Sequence, residues 1–263
     1  MVEQMASDEI MLKITGDPFW AENCEDVAFN TYPAATMPDF KALRYITSPN
    51  QVTSDAQNHH PGIDNSGPFL AMNPFSCRCC QHNHTQGWPY YAEHLVLATP
   101  DNGAALALYA SCQADITVGN NQKIKLIEKT NYPFEESIQL LVQTEKNVDF
   151  PLYLRIPSWS PDASIKINGK KGKRLQLIAG QYVRIQRTWS NDDVIELNVP
   201  MHLNLRTWQV NKNSVSIDYG PLTFSLKIQE KYIKRDSRQT AIGDSQWQND
   251  ADAENWPSFE IFP

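Results

Sequence analysis

Near residue 98 the spacing of apolar side chains changes from the three-to-four repeat of helices to the alternation of strands, and that switch bounds the fold. Before it, Met5, Ile10, Met11 and Ile14 fall near one face of a first helix, which Gly16 is placed to end. Asp17 then caps a second helix with Pro18 at its first position, and this helix carries Phe19, Trp20, Cys24, Val27 and Phe29 as far as Pro33. A lone helical hairpin cannot bury both of its faces, so further packing partners are expected. After the switch, predicted strands at 104–109, 123–129, 138–144, 152–156, 164–167, 182–186 and 194–199 are punctuated by Asp101-Asn102-Gly103, Gly119-Asn120-Asn121 and Asn168-Gly169. Many short strands at this spacing predict an antiparallel β-sandwich. The pattern continues through 214–219 and 222–228, after which the chain turns polar, with Trp247 and Trp256 as isolated anchors. The organisation expected is α + β and multidomain: helices and a loop over 1–98, a sandwich over 99–228, and an incomplete segment over 229–263.

Composition excludes several classes of function. With 263 residues and 41% hydrophobic side chains, the chain can bury one large core or two smaller ones. Its formal charge of −7 and the lack of a long basic block argue against nucleic-acid binding, which needs clustered Lys and Arg. The run Lys170-Lys171-Gly172-Lys173-Arg174 follows Asn168-Gly169 and reads as a solvated turn. No apolar run approaches the roughly 20 residues that span a bilayer, so no membrane partner is expected. The first eight residues lack the basic start and apolar stretch of a signal peptide, which leaves the compartment open.

Chemistry concentrates in Ser76-Cys77-Arg78-Cys79-Cys80-Gln81-His82-Asn83, where three of the five cysteines fall within four positions. Neighbouring cysteines cannot pair without straining disulfide geometry. Their crowding therefore points to thiolate chemistry, metal coordination or both, against the plainer reading of small buried hydrophobes. A structural zinc finger would need a second cysteine pair, which is lacking. Cys24 and Cys112 stand alone, and five is an odd number, so reduced thiols are expected. The polar stretch 47–74 contains His59 and His60 and leads into the cluster; these and His82, His84 and His94 are individually more ordinary as solvated or core side chains than as ligands. Trp88, Tyr90 and Tyr91 suit core packing or stacking on a sugar. Glu25 and Asp26 could be catalytic carboxylates or a wet helix face, and sequence favours the wet face.

Four stretches together resemble glycoside hydrolase family 127, the β-L-arabinofuranosidase-like proteins. They are Ile14-Thr15-Gly16-Asp17-Pro18-Phe19-Trp20-Ala21, Glu25-Asp26-Val27-Ala28-Phe29-Asn30, Cys79-Cys80-x-x-Asn83 with Gly87-Trp88-Pro89, and Pro151-Leu152-Tyr153-Leu154-Arg155-Ile156-Pro157. The resemblance implies that residues 1–98 are the end of an (α/α)6 barrel, ahead of the sandwich. It also implies an exo-acting, retaining glycosidase acting on a plant-type oligosaccharide or other glycan. The family holds zinc through three cysteines and a glutamate, and one cysteine thiolate is the nucleophile. By position in the motif, Cys79 is implied as nucleophile and zinc ligand, Cys80 as a second zinc ligand, Glu25 as a substrate-binding carboxylate and Tyr45 as an aromatic sugar contact.

The departures from the pattern are specific. A Glu-x-Cys motif supplying the other zinc ligands would fall just before Met1, with the general acid further upstream, and Met5 stands where a cysteine would be needed. The chain is therefore expected to be a fragment with an incomplete zinc site and weak or absent activity. Where the family often has Cys-Cys-Pro-Pro-Asn, this chain has Cys79-Cys80-Gln81-His82-Asn83, which leaves the sugar open. A non-catalytic carbohydrate-binding sandwich is the alternative from another class. The Cys-x-x-Cys spacing of Cys77 and Cys80 also raises a thiol redox protein, although the βαβ context for that motif is lacking.

Overall fold

The computed structural model describes residues 1–44, 53–55, 71–72, 78–172, 175–236, 250 and 252–263. Contacts divide the chain into two compact units, one comprising Glu3–Phe29 and Trp88–Ser225, the other Asn30–Gly87 and Leu226–Pro263.

The first unit begins with the helix Val2–Thr15, which ends where Gly16 takes a left-handed φ of 67° and its N–H returns to the Leu12 carbonyl. Asp17 restarts the chain by accepting a hydrogen bond from the Phe19 N–H at 3.0 Å, with Pro18 opening the helix Pro18–Asp26. The helical start thus forms as the caps predict, but its buried face is not the expected one. Ile10 and Ile14 are exposed, whereas Met5, Asp8, Glu9 and Leu12 are buried. The two acids are tolerated inside because each has a partner: Asn23 donates to Asp8 at 2.9 Å, and His94 meets Glu9 at 3.0 Å.

Mostly antiparallel sheets follow. A six-stranded sheet runs in the order Lys170–Lys171, Ser164–Ile167, Asp193–Asn198, Ser137–Thr144, Gln122–Thr130, Cys112–Val118. A four-stranded sheet runs Gln181–Trp189, Val148–Ile156, Ala104–Leu106, Val96–Ala98, with a parallel pairing only between Ala104–Leu106 and Val148–Ile156. Alternate residues of both sheets meet in one core: Ile124, Leu126, Ile138, Leu140, Ile195 and Leu197 from the first, Phe150, Leu152, Leu154, Val183 and Ile185 from the second. Trp189 closes one end, donating its indole N–H to the Phe150 carbonyl at 3.0 Å. The Asn168-Gly169 signal is a two-residue hairpin with both φ values positive, 50° and 72°, as a tight twisted turn requires.

A three-stranded sheet of Leu203–Trp208, Ser214–Tyr219 and Leu222–Phe224 completes this unit. Its register gathers Arg206, Ser216, Asp218 and Thr223 on one face, and Leu205, Ile217 and Phe224 on the other. The polar face turns inward to Asp26 of the second helix, which Arg206 contacts at 2.9 Å, while Leu205, Ile217 and Phe224 are exposed.

In the second unit, the sheet order is Leu43–Arg44, Ala71–Met72, Ser258–Phe262, Lys231–Arg235. A small core of Met37, Ala42 and Ile261 packs with Phe259. The expected polar tail therefore contains two paired strands, formed by Ile233 opposite Glu260 and its neighbours. Among the described residues no helix is long and apolar enough to cross a membrane.

Candidate active site

Cys79 and Cys80 lie on the seven-residue helix Arg78–His84, in the second unit. Cys80 is half-buried and its thiol is not in a disulfide. The side chain of Cys79, all of Cys77, and Tyr45 lie outside the described residues, as do His59 and His60.

What holds this helix is a contact the sequence reading did not single out. Tyr32 stacks on the His84 ring at 4.2 Å between centroids and 17° between planes. Its hydroxyl donates to the His84 carbonyl at 2.6 Å, and the His84 Nε2 reaches back to the Tyr32 carbonyl at 3.1 Å. Gly87 follows immediately and lies flat against the same ring: a Cβ there would stand 2.5 Å from Tyr32 Cζ. The glycine that begins the Gly87-Trp88-Pro89 motif is thus needed for close approach, and the cysteine helix is fixed at its C-terminal end by Tyr32. The helix Gly87–Glu93 then places Pro89 in its first turn, where a missing N–H costs nothing.

The other thiols behave differently. Cys24 is fully buried with its sulfur 3.7 Å from a Glu9 oxygen, and burial together with Glu9 and Glu25 pushes its pKa far above that of a free thiol. Burial and the neighbouring Glu128 push Cys112 up to about 11. Both remain protonated at neutral pH and are poor nucleophiles.

Glu25, in the first unit, is enclosed. It is fully buried and ion-paired with the Arg155 guanidinium, which is itself fully buried. Tyr132 donates to its second oxygen at 2.8 Å, and the Tyr91 hydroxyl lies 3.5 Å from the first. Burial pushes the Glu25 carboxyl above the usual carboxylate range, against the downward pull of Arg155 and Tyr132. Burial also opposes the charge on Arg155, but Glu25 and the surrounding tyrosines hold the guanidinium protonated. Arg155 further donates through Nε to the Ala107 carbonyl at 2.8 Å, and Tyr109 donates to the Arg155 carbonyl. The expected sugar contact at Glu25 thus meets a carboxylate already engaged on both oxygens. The sequence signal for its partner was present in Leu154-Arg155-Ile156, a charge inside an apolar strand.

Zinc can be tested against this donor set. Two adjacent cysteines are soft donors that suit zinc in kind, but a tetrahedral site takes four ligands. Among the described residues no group of three His, Cys, Asp or Glu side chains could hold a metal ion. The cysteine pair therefore fits zinc in the kind of donor it offers.

Comparison with known proteins places these features in one family. Residues 1–93 match the model described as "Beta-L-arabinofuranosidase, GH127 catalytic domain", and residues 103–201 match "Beta-L-arabinofuranosidase, GH127 middle domain". Among solved structures, one titled "Glycoside hydrolase" is 23% identical with a TM-score of 0.70, over 88% of this chain and 36% of that one. The GH127 β-L-arabinofuranosidase Ara127N from Geobacillus stearothermophilus T6 is 19% identical with a TM-score of 0.68, over 100% of this chain and 46% of that one. The GH127 β-arabinofuranosidase BT3674 is 20% identical with a TM-score of 0.66, over 91% and 40%. At these identities the likeness shows shared fold, and this chain spans less than half the length of each of the three. No curated protein sequence matches. With matches to both family domains, and with the cysteine helix falling in sequence between the two helical signatures and the sheets, the chain belongs to glycoside hydrolase family 127.

Proposed function

We propose that this chain is part of a retaining, exo-acting glycosidase of the β-L-arabinofuranosidase type, acting on an arabinose-containing glycan with the Cys79 thiolate as nucleophile. The observation that carries the reading is the adjacent cysteine pair on the helix Arg78–His84, inside the segment matched to the family's catalytic domain. On this reading, residues 1–98 form the end of an (α/α)6 barrel, and the sheets after it form a sandwich.

Retention of configuration needs two displacements. In the first, the Cys79 sulfur forms a bond to the anomeric carbon while the bond to the aglycone oxygen breaks, and that oxygen takes a proton from a general acid. In the second, water gives a proton to the conjugate base of that acid and attacks the same carbon, and the thiolate leaves. Zinc, when bound by Cys79 and Cys80 with further ligands, would hold both sulfurs as thiolates at neutral pH. Tyr32 and Gly87 keep the nucleophile's helix in place, and Tyr45 is proposed as the aromatic face against the sugar. Glu25 is proposed to act on the sugar indirectly, by supporting the helix Pro18–Asp26 through Arg155.

A substrate with a dinitrophenolate leaving group needs little protonation, so 2,4-dinitrophenyl β-L-arabinofuranoside tests the nucleophile apart from the general acid. The full-length protein of which this chain is part should release dinitrophenol in a burst of one equivalent, and Cys79→Ser should abolish it. Release unchanged by Cys79→Ser would overturn the assignment.

A further inference from the structure

A cleft of about 650 Å³ opens in the first unit beside the helix Pro18–Asp26 and the polar face of the three-stranded sheet. Its walls combine ring faces with acceptors. Phe19 is 58% exposed and braced edge-on by Trp20 at 5.1 Å, and Trp159 lines the cleft as a half-buried ring.

Charge narrows what the cleft can take. Its arginine, Arg206, is committed: Nη1 meets Asp26 at 2.9 Å, Nε meets Asp218 at 2.9 Å, and Nη2 lies 3.1 Å from the Thr223 hydroxyl. Thr223 in turn donates to Asp218 at 2.9 Å. Glu22 accepts from the Ser158 N–H at 2.6 Å and from its hydroxyl at 2.5 Å. Each carboxylate oxygen has more than one lone pair, so Glu22 and Asp218 still offer acceptors after these bonds are made. Asn204 adds an exposed amide on the polar face of the sheet.

The other basic side chain at the cleft, His202, lies 3.7 Å from Asp162, so among the described residues a phosphate or carboxylate ligand would meet a surplus of negative charge. A purely apolar ligand would leave the acceptors dry. A neutral ligand with several hydroxyls and an apolar C–H face satisfies both the acceptors and the rings.

We infer that this cleft is a binding site for a neutral glycosyl unit, an assignment that does not depend on the thiolate chemistry proposed for Cys79. The Asp26–Arg206–Asp218 network holds acceptors at fixed positions for vicinal hydroxyls, and Trp159 and Phe19 cover the ring. The inference does not rest on the nucleophile: it survives if Cys79 proves inert, and it can fail while Cys79 is confirmed.

The test is saturation-transfer NMR on the full chain with L-arabinose and methyl β-L-arabinofuranoside, with the diamine putrescine as a cationic probe. Sugar protons should receive saturation in the wild type and in Cys79→Ser. The signal should fall several-fold in Asn204→Ala and in Trp159→Ala, with circular dichroism spectra unchanged in Asn204→Ala. Asn204 is exposed, so its replacement keeps the test valid even where Trp159→Ala fails to fold. Absence of transfer to either sugar overturns the proposal. Transfer that persists undiminished in Asn204→Ala, or transfer to putrescine alone, overturns it as well.

Discussion

The guanidinium of Arg155 and the carboxylate of Glu25 form a fully buried ion pair, 130 residues apart in sequence, that ties the helix Pro18–Asp26 to the strand Val148–Ile156. Both ends have further hydrogen bonds, from Tyr132 on one side and to the Ala107 carbonyl on the other. Removing one partner strands the other charge without water. Glu25→Ala or Arg155→Ala should therefore cost about 3–5 kcal/mol in urea unfolding. The double replacement Glu25→Leu with Arg155→Met should cost less than the two single losses added together. Strict additivity would show that the pair is not coupled.

His94 and Glu9 predict a pH dependence. The hydrogen bond to Glu9 raises the His94 pKa above its ordinary 6.5, against the opposing effect of burial. A group with a raised folded-state pKa stabilises the fold fully below its unfolded value and loses that contribution as pH rises through the folded value. Burial raises Asp8 and Glu128 in the same sense. The melting temperature should accordingly fall from mildly acidic pH toward pH 8, and His94→Gln should flatten the part of the curve above 6.5. A wild-type melting temperature that climbs across this range would contradict the burial pattern.

Gly87 should tolerate no side chain. A methyl group would meet the Tyr32 ring at 2.5 Å, so Gly87→Ala should cost about 1–3 kcal/mol through overpacking. Because Tyr32 holds the end of the cysteine helix, the same variant should raise the alkylation rate of Cys80. An unchanged rate and stability would mean that the Tyr32 contact does not hold that helix.

Thiol reactivity should be ordered. At pH 8, iodoacetamide should label the native chain at Cys80 well before Cys112, whose pKa is pushed up to about 11, and before the enclosed Cys24. Peptide mapping against time checks the order, and early labelling of Cys24 would refute its burial.

The helical start was legible because its punctuation is local: Gly16, Asp17 and Pro18 act within one turn of where they stand. Which face of the first helix is buried was not, because Asp8 and Glu9 are made tolerable inside by Asn23 and His94, residues brought near by folding. Most strands were legible from alternation. The strand Cys112–Val118 also alternates, with Ala114, Ile116 and Val118 in step, but it is an edge strand and its weak apolar face hid it. Leu203–Trp208 escaped because its apolar residues Leu203 and Leu205 are exposed while the charged Arg206 is the half-buried one, so no apolar face is turned to a core. At the site, the cysteine pair announced itself, while Tyr32 and His84 did not, since a stacked pair 52 residues apart leaves no trace in spacing.

The central claim, a sulfur nucleophile at Cys79, is tested most directly by trapping it. The full-length protein of which this chain is part should be treated with a 2-deoxy-2-fluoro-β-L-arabinofuranosyl donor bearing a dinitrophenolate leaving group, then weighed intact and mapped by peptide. The account predicts one added glycosyl mass on the peptide containing Cys79, and none in Cys79→Ser. An adduct on a carboxylate, or one that survives the replacement of Cys79, would contradict it.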